Sequence, residues 1–246
     1  MIRSEGEENT YPMACPFRGV DRIPFECSAL DALLDGGVEG GCVTLLYGEA
    51  GTGKTNLCLL LTRNVAQQGK KVVYLDTEGV SLDRYRQICG DAFDQVLKST
   101  LFFEVNSFDE QEKMVDKAIK LAEGNMDVAM IVVDSITMYY RLTIREEERT
   151  ERKSLASQSV KLLAISRKRM IPVVITSQVY TDVEKGTFEA LGGHSLHHNA
   201  KTIVMLQKLG PGRRRAVVMK HRHIAEGGSA DFRLVREGVS CETKER

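Results

Sequence analysis

Gly48-Glu49-Ala50-Gly51-Thr52-Gly53-Lys54-Thr55 follows the apolar run Val43-Thr44-Leu45-Leu46-Tyr47 without a break. The eight residues fit G-x-x-x-x-G-K-[ST], the pattern of a phosphate-binding loop. Its chemistry needs those residue types. Glycines let the backbone turn tightly and bring N–H groups up to an anion. A helix that starts at Lys54 points its positive end at the same place. Lys54 then reaches the β- and γ-phosphates, and the Thr55 hydroxyl ligates magnesium. The flanks agree: a buried strand before, and a helix from Lys54 to about Gln68, ended by Gly69. The stretch predicts a nucleoside triphosphate site holding ATP and Mg²⁺, with Gly48 through Thr55 as its cradle.

Outward from this loop, strands and helices alternate. Val72 to Leu75, Leu101 to Val105, Ala129 to Val133 and Val173 to Ile175 are short apolar runs of strand length. Between them lie predicted helices at Leu82–Cys89 and Asp109–Glu123, and one carrying Ala156, Val160, Leu163 and Ala164. A further short helix is predicted from a cap at Ser28 to Asp35, stopped by Gly36-Gly37. Alternation of this kind implies a mainly parallel, twisted sheet covered by helices on both faces. Past Gly192 the pattern changes to short strands at Thr202–Leu206, Arg215–Met219 and Asp231–Val235. These are expected as antiparallel additions to one edge. The fold class is thus α/β, with one core over residues 24–246 and a tail over residues 1–23.

Composition narrows the class further. With 246 residues there is room for one sizeable α/β domain. Lys plus Arg equals Asp plus Glu at 34 each, so any nucleic-acid contact has to be a local patch. No apolar run is long enough to span a membrane, and the first ten residues do not resemble a secretory signal. Six scattered cysteines form no CxxC pair, which argues against a zinc site and for a reducing, cytoplasmic interior. The histidines at 194, 197, 198, 221 and 223 lack carboxylates at ligand spacing.

Three strand-end residues carry further chemistry. Asp134 closes an apolar strand, as an acid that holds a magnesium water shell does; a helix-capping aspartate is the alternative. Glu78, in Asp76-Thr77-Glu78-Gly79, is placed to orient and deprotonate an attacking water, or is a solvated loop acid. Gln178 ends the strand Val173 to Thr176, where a neutral amide can sense a γ-phosphate and signal to the next loop.

These pieces in this order resemble the RecA superfamily, on its branch of archaeal recombinase paralogues. The likeness runs from about Phe25 to Val239. It rests on Gly48 to Thr55, Tyr74-Leu75-Asp76-Thr77-Glu78-Gly79, Ile131-Val132-Val133-Asp134-Ser135 with Tyr140-Arg141, Val174-Ile175-Thr176-Ser177-Gln178-Val179, and Gly192-Gly193. The resemblance implies a RecA-like core, a weak DNA-modulated ATPase, and a role in homologous recombination and repair beside the main RadA-like recombinase. It implies that Glu78 is the catalytic glutamate and Gln178 the switch to a second DNA-binding loop, Val179 to about His194. The first such loop would span about Arg141 to Lys153, including Arg145. Tyr85, or Arg84 beside it, would stack on adenine. Lys220 and Arg222, in Lys220-His221-Arg222, would reach into a neighbouring subunit's site like an arginine finger, or else touch DNA phosphates as an exposed strand end.

The chain departs from full recombinases in two respects. Nothing before Phe25 matches their N-terminal DNA-binding domain or Phe-x-x-Ala motif, and the second loop is short and holds Asp182, Glu184 and Glu189, which together argue against filaments and independent strand exchange and leave a weak homo-oligomer open. Single-stranded DNA is the expected ligand of the basic residues, with Arg213, Arg214 and Arg215 beside Lys208 as the densest group. A Holliday-junction resolvase is a further partner the resemblance implies. Two other readings stand beside this one. The first is an ATP-switched interaction module with negligible hydrolysis. The second is a RecA-fold signalling ATPase or kinase.

Overall fold

A computed structural model describes residues 21–143, 148–182 and 187–241. The chain opens with β1 (Arg22–Ile23), paired antiparallel with β2 (Val38–Glu39) around α1 (Ser28–Leu33). Ser28 is the first residue of α1 rather than its cap. The turn before the helix is held by the Asp31 carboxylate, which accepts from the N–H groups of Phe25 at 2.6 Å and Cys27 at 3.1 Å. Arg22 and Ile23, read from sequence as tail, are therefore part of the fold, whereas residues 1–20 lie outside the described ones.

The alternating core follows: β3 (Val43–Gly48), α2 (Lys54–Gln67), β4 (Lys71–Asp76), α3 (Leu82–Cys89), α4 (Phe93–Ser99), β5 (Thr100–Glu104), α5 (Phe108–Gly124), β6 (Val128–Asp134), α6 (Met138–Thr143), α7 (Glu148–Arg169) and β7 (Val173–Ser177). The predicted helices and strands appear within a residue or two of their expected bounds. Ser107 and Ser81 each accept a backbone N–H three residues on and so cap α5 and α3. Beyond β7 come the hairpin β8 (Val179–Asp182) and β9 (Thr187–Ala190), then α8 (Gly193–Asn199), β10 (Thr202–Lys208), β11 (Arg213–Lys220), β12 (Ser229–Val235) and β13 (Gly238–Cys241).

Nine strands form one sheet in the order β13-β12-β11-β10-β3-β7-β6-β4-β5. Alternate residues of the central strands enter two separate cores, as a sheet covered on both faces requires. Leu46, Tyr74, Val132, Val174 and Leu206 face α1 to α4. Leu45, Leu75, Val133, Ile175 and Ile203 face α5, α7 and α8. One sequence expectation needs correcting. β10 runs parallel to β3, with Leu206 opposite Gly48, and the antiparallel pairings of this edge start between β10 and β11 and continue through β12 and β13. Helix α8 supplies the crossover that a parallel pair needs and that a hairpin connection does not.

The cysteine reading is corrected as well. Cys27, before α1, and Cys241, at the end of β13, form a disulfide across a sequence separation of 214 residues, with Cα atoms 5.4 Å apart. Scatter along the chain concealed a pair that the fold brings together. Cys42, Cys58 and Cys89 are buried free thiols, and burial raises the pKa of each. No helix of the described residues is long and apolar enough to cross a membrane.

Candidate nucleotide-binding and catalytic site

The parallel strands β3, β7, β6 and β4 are neighbours, and their carboxyl ends bring Gly48, Gln178, Asp134 and Glu78 to one edge of the sheet. Ligands of open α/β sheets bind at this edge. Gly48 begins the loop because a Cβ there would stand 2.4 Å from the Leu206 carbonyl of β10. Gly53, at φ 102°, turns the chain into α2 through the left-handed region. The Thr52 hydroxyl, fully buried, closes the loop on the Glu49 carbonyl at 2.8 Å.

The loop has the features of an anion cradle. A helix's first turn has no internal acceptors for its N–H groups, and those of Gly53, Lys54, Thr55 and Asn56 meet no other acceptor among the described residues. Lys54 is buried, and its amine donates to the carbonyls of Gly48 at 2.7 Å and Glu49 at 3.0 Å. Burial lowers its pKa, while Glu78 and Asp134 pull the other way. A cation held only by neutral carbonyls beside free N–H groups is the setting a polyphosphate completes. Thr55, in the first turn of α2, and Asp134, at the end of β6, are the residues that could hold Mg²⁺. Among the described residues no cluster of three His, Cys, Asp or Glu is placed to hold a metal ion. A magnesium here would rely on hydroxyl, water and phosphate oxygens, as that ion commonly does.

Asp134 is 1% exposed, with one carboxylate oxygen accepting from Tyr74 Oη at 2.8 Å and the other from Thr176 Oγ1 at 2.5 Å. It does not cap α6, so the capping alternative falls away. Glu78 is exposed and is posed by Asp76, whose carboxylate accepts from the N–H groups of Glu78, Gly79 and Val80. Gln178 Nε2 donates to Glu78 Oε1 at 3.1 Å. The two side chains thus touch, and β8 begins one residue later. Ser177 and Thr137 bond behind them at 3.1 Å, and Thr77 Oγ1 accepts from Ser135 N–H at 2.7 Å. Sequence reasoning missed Tyr74, Thr176, Asp76 and Thr77. Of these, Asp76 was discoverable: an Asp two residues before a loop acid and three before a glycine is a turn-forming pattern.

Other expected site residues lie elsewhere. Tyr85 is fully buried, its hydroxyl 3.0 Å from Thr100 Oγ1 and its ring edge-on to Phe93 and Phe102. It faces the core and cannot stack on a base, which corrects that expectation. Arg84 takes the outward position, donating to Asn56 Oδ1 at 2.6 Å and to the carbonyls of Val235, Arg236 and Gly238. Lys220 and Arg222 sit beside the amino end of β3, the far edge of the sheet: Lys220 is paired with Ile203, whose own partner is Leu45. The Lys220 amine donates to the carbonyls of His197 at 2.7 Å and Ala200 at 2.8 Å, and Arg222 lies 3.7 Å from Glu39. Neither reaches the phosphate loop of its own chain, which leaves a neighbouring subunit's site and DNA phosphates as the two roles open to them.

The basic triad is divided. Arg215 is bidentate to Asp231 at 2.6 and 2.9 Å. Arg214 grips the Gly51 carbonyl of the phosphate loop with two donors, at 2.8 and 3.0 Å. Both guanidinium groups thus have partners within the protein. Arg213 is exposed. Arg141 is exposed at the end of α6, where the first loop begins, and Arg145 lies outside the described residues. The second loop is in part the hairpin β8–β9, with Val179 opposite Ala190.

Comparison with known proteins agrees with this geometry. The sequence model of the Rad51 family matches residues 19–242. The DNA repair and recombination protein RadB of Methanococcoides burtonii is 43% identical over 221 residues, covering 89% of this chain and 97% of that protein. The protein of the same name from Thermoplasma acidophilum is 39% identical, covering 92% of this chain and 96% of its own length. A crystal structure of the RadB recombinase superposes with a TM-score of 0.78 at 33% identity, covering 90% of this chain and the whole of that one.

Proposed function

This chain belongs to the Rad51 family, and from that premise we propose that it is a recombinase paralogue of the RadB type, acting in homologous recombination and DNA repair. It binds ATP with Mg²⁺ in the cradle of Gly48 to Thr55, holds the ion with Thr55 and Asp134, and hydrolyses ATP slowly with Glu78 as the base. It binds single-stranded DNA through the segments that follow Arg141 and Gln178, and it assists the main recombinase in the cytoplasm. The observation that carries this reading is the Gln178–Glu78 contact at 3.1 Å. It joins the water-activating position to the residue just before the β8–β9 hairpin, so the presence of a γ-phosphate and the shape of a DNA-binding segment are one coupled variable.

The test is ATP binding and turnover by wild type and Lys54→Ala, with and without single-stranded DNA. Wild type binds ATP, Lys54→Ala does not, and DNA changes the turnover of wild type. Failure of wild type to bind ATP rules the reading out.

A second reading has one observation in its favour. Lys220, a candidate for the neighbour's γ-phosphate, has its amine held by backbone carbonyls of its own chain, which suits a module that binds ATP and hydrolyses almost none. In a repair-complementation assay Glu78→Gln then works as well as wild type while Lys54→Ala fails. Failure of both points to hydrolysis.

A further inference from the structure

The hairpin between β10 and β11 leans on the phosphate loop. Arg214 donates twice to the Gly51 carbonyl, and its third nitrogen donates to Gly210 O at 3.1 Å and Arg213 O at 2.8 Å. All its partners are neutral. Lys208, at the end of β10, stands on the other side of the same residue: a Cβ added to Gly51 would lie 3.4 Å from its Cε and 3.5 Å from its Nζ. Lys208 is exposed, and neither it nor Arg214 has an acidic partner among the described residues. Lys208 and the loop residues Gly48 and Glu49 also line one cavity of about 310 Å³, with Val179 of β8 on its wall. Lys208 is near enough to Lys54 to oppose its charge, which Glu78 and Asp134 favour more strongly. Three cations therefore converge on a loop built to bind an anion, and two of them come from the C-terminal hairpin.

Such an arrangement is electrostatically unfavourable until a polyanion arrives. Like charges held close together repel, and more strongly at a protein surface than in bulk water. A surface that keeps unpaired like charges together at a ligand loop gains that energy back when the ligand neutralises them. The far edge of the sheet differs: there Arg222 has an acidic partner, Glu39, at 3.7 Å.

We propose that Lys208 and Arg214 are nucleotide-binding residues supplied in cis, so that one chain carries the cations its bound triphosphate needs without a neighbouring subunit. This deepens the ATP reading above and rests on it. Arg214 fixes the apex of the loop while adding charge, and Lys208 approaches the phosphates directly from the cavity side.

The test titrates fluorescent ATP and ADP analogues, with magnesium, into wild type, Lys208→Ala, Lys208→Arg, Arg214→Ala, Arg214→Lys and the control Lys54→Ala. It is run over a range of protein concentrations. Lys208→Ala weakens ATP binding about tenfold, as loss of one such charge contact predicts, and weakens ADP binding less because ADP carries one charge fewer. Lys208→Arg restores most of the affinity, and Lys208→Ala keeps the melting temperature of wild type because the side chain is exposed. Arg214→Lys binds better than Arg214→Ala. Affinity does not change with protein concentration. Wild-type affinity in Lys208→Ala and in a folded Arg214→Ala, or affinity that appears only as the chains associate, overturns the proposal. Absence of binding by wild type and Lys54→Ala alike would instead mean that the ATP reading itself has failed.

Discussion

The parallel half of the sheet and its antiparallel flank do different work. In the parallel half, strands β3, β7, β6 and β4 end together, and hydrogen bonds among strand-end side chains set the geometry: Tyr74 and Thr176 on Asp134, Asp76 on the Glu78 turn, Gln178 on Glu78. The flank of β11, β12 and β13 contributes no such cluster. It leans on the phosphate loop from outside, through Arg214 on Gly51 and Leu234, whose Cδ2 would stand 3.0 Å from a Cβ on Gly53. It is tied back by Arg84, Lys220 and the Cys27–Cys241 bond. Chemistry is thus built by neighbouring parallel strands, and its support by a sheet edge fastened at three points.

The strongest way to loosen that fastening is to remove the disulfide. Cross-links that close loops of hundreds of residues restrict the unfolded chain most, and native ones are worth about 2–4 kcal/mol. Cys27→Ser is expected to lower the unfolding free energy by that amount under oxidising conditions, with little change once dithiothreitol is added. Equal denaturation midpoints for wild type and variant without reductant would show that the flank does not depend on the bond.

On the other side of the comparison, Lys54→Met should abolish nucleotide binding, a loss of about 100-fold or more, equal to about 2.7 kcal/mol. It should not destabilise the fold, because the lysine is a buried cation with only carbonyl partners. The pH dependence follows from the lowered pKa. Between that value and the ordinary 10.5 of an unfolded lysine, the unfolded chain binds the proton and the folded one has released it. Wild type therefore gains stability over Lys54→Met as pH rises towards 10.5. Chemical denaturation at a series of alkaline pH values reads this, and a falling difference contradicts it.

Lys220→Met asks whether the flank's far edge is architecture. The amine caps the last carbonyls of α8, and loss of a cation with its hydrogen bonds at a helix C-terminus costs about 1–2 kcal/mol. A lower melting temperature with unchanged ATP affinity is expected at concentrations where the chain is monomeric. An unchanged melting temperature with lost turnover would move Lys220 into a neighbour's site.

The same division explains what was legible beforehand. The parallel half announces itself because each strand is a short apolar run and each functional residue follows one: Asp134 after Val133, Glu78 after Leu75 and Asp76, Gln178 after Ser177. Buried parallel strands need such runs, and their carboxyl ends are where ligands sit. The flank hid three things. Its Arg213-Arg214-Arg215 run looked like a surface patch, although alternation along a strand sends consecutive residues to opposite faces. Thus Arg214 and Arg215 took different partners. The pairing of β10 with β3 depended on α8, whose seven residues hold three histidines and no clear apolar stripe. The Cys27–Cys241 pair depended on the whole fold being in place.

The smallest expected effect separates two adjacent residues. Tyr85 and Arg84 follow each other on α3 but lie on different faces, since successive helix residues are about 100° apart. Tyr85 belongs to an aromatic group with Phe93 and Phe102, and burial raises the pKa of its phenol. Arg84 spans from Asn56 of α2 to the β12–β13 turn. Tyr85→Phe removes one buried hydrogen bond and should cost about 1 kcal/mol of stability with no change in ATP affinity. Arg84→Ala should cost about 1 kcal/mol of nucleotide binding through lost contact with the base, and it also frees the turn that carries Val235 and Arg236. If Tyr85→Phe instead weakens ATP binding more than Arg84→Ala does, the base is not bound on the outward face of α3. The flank would then have no part in holding it.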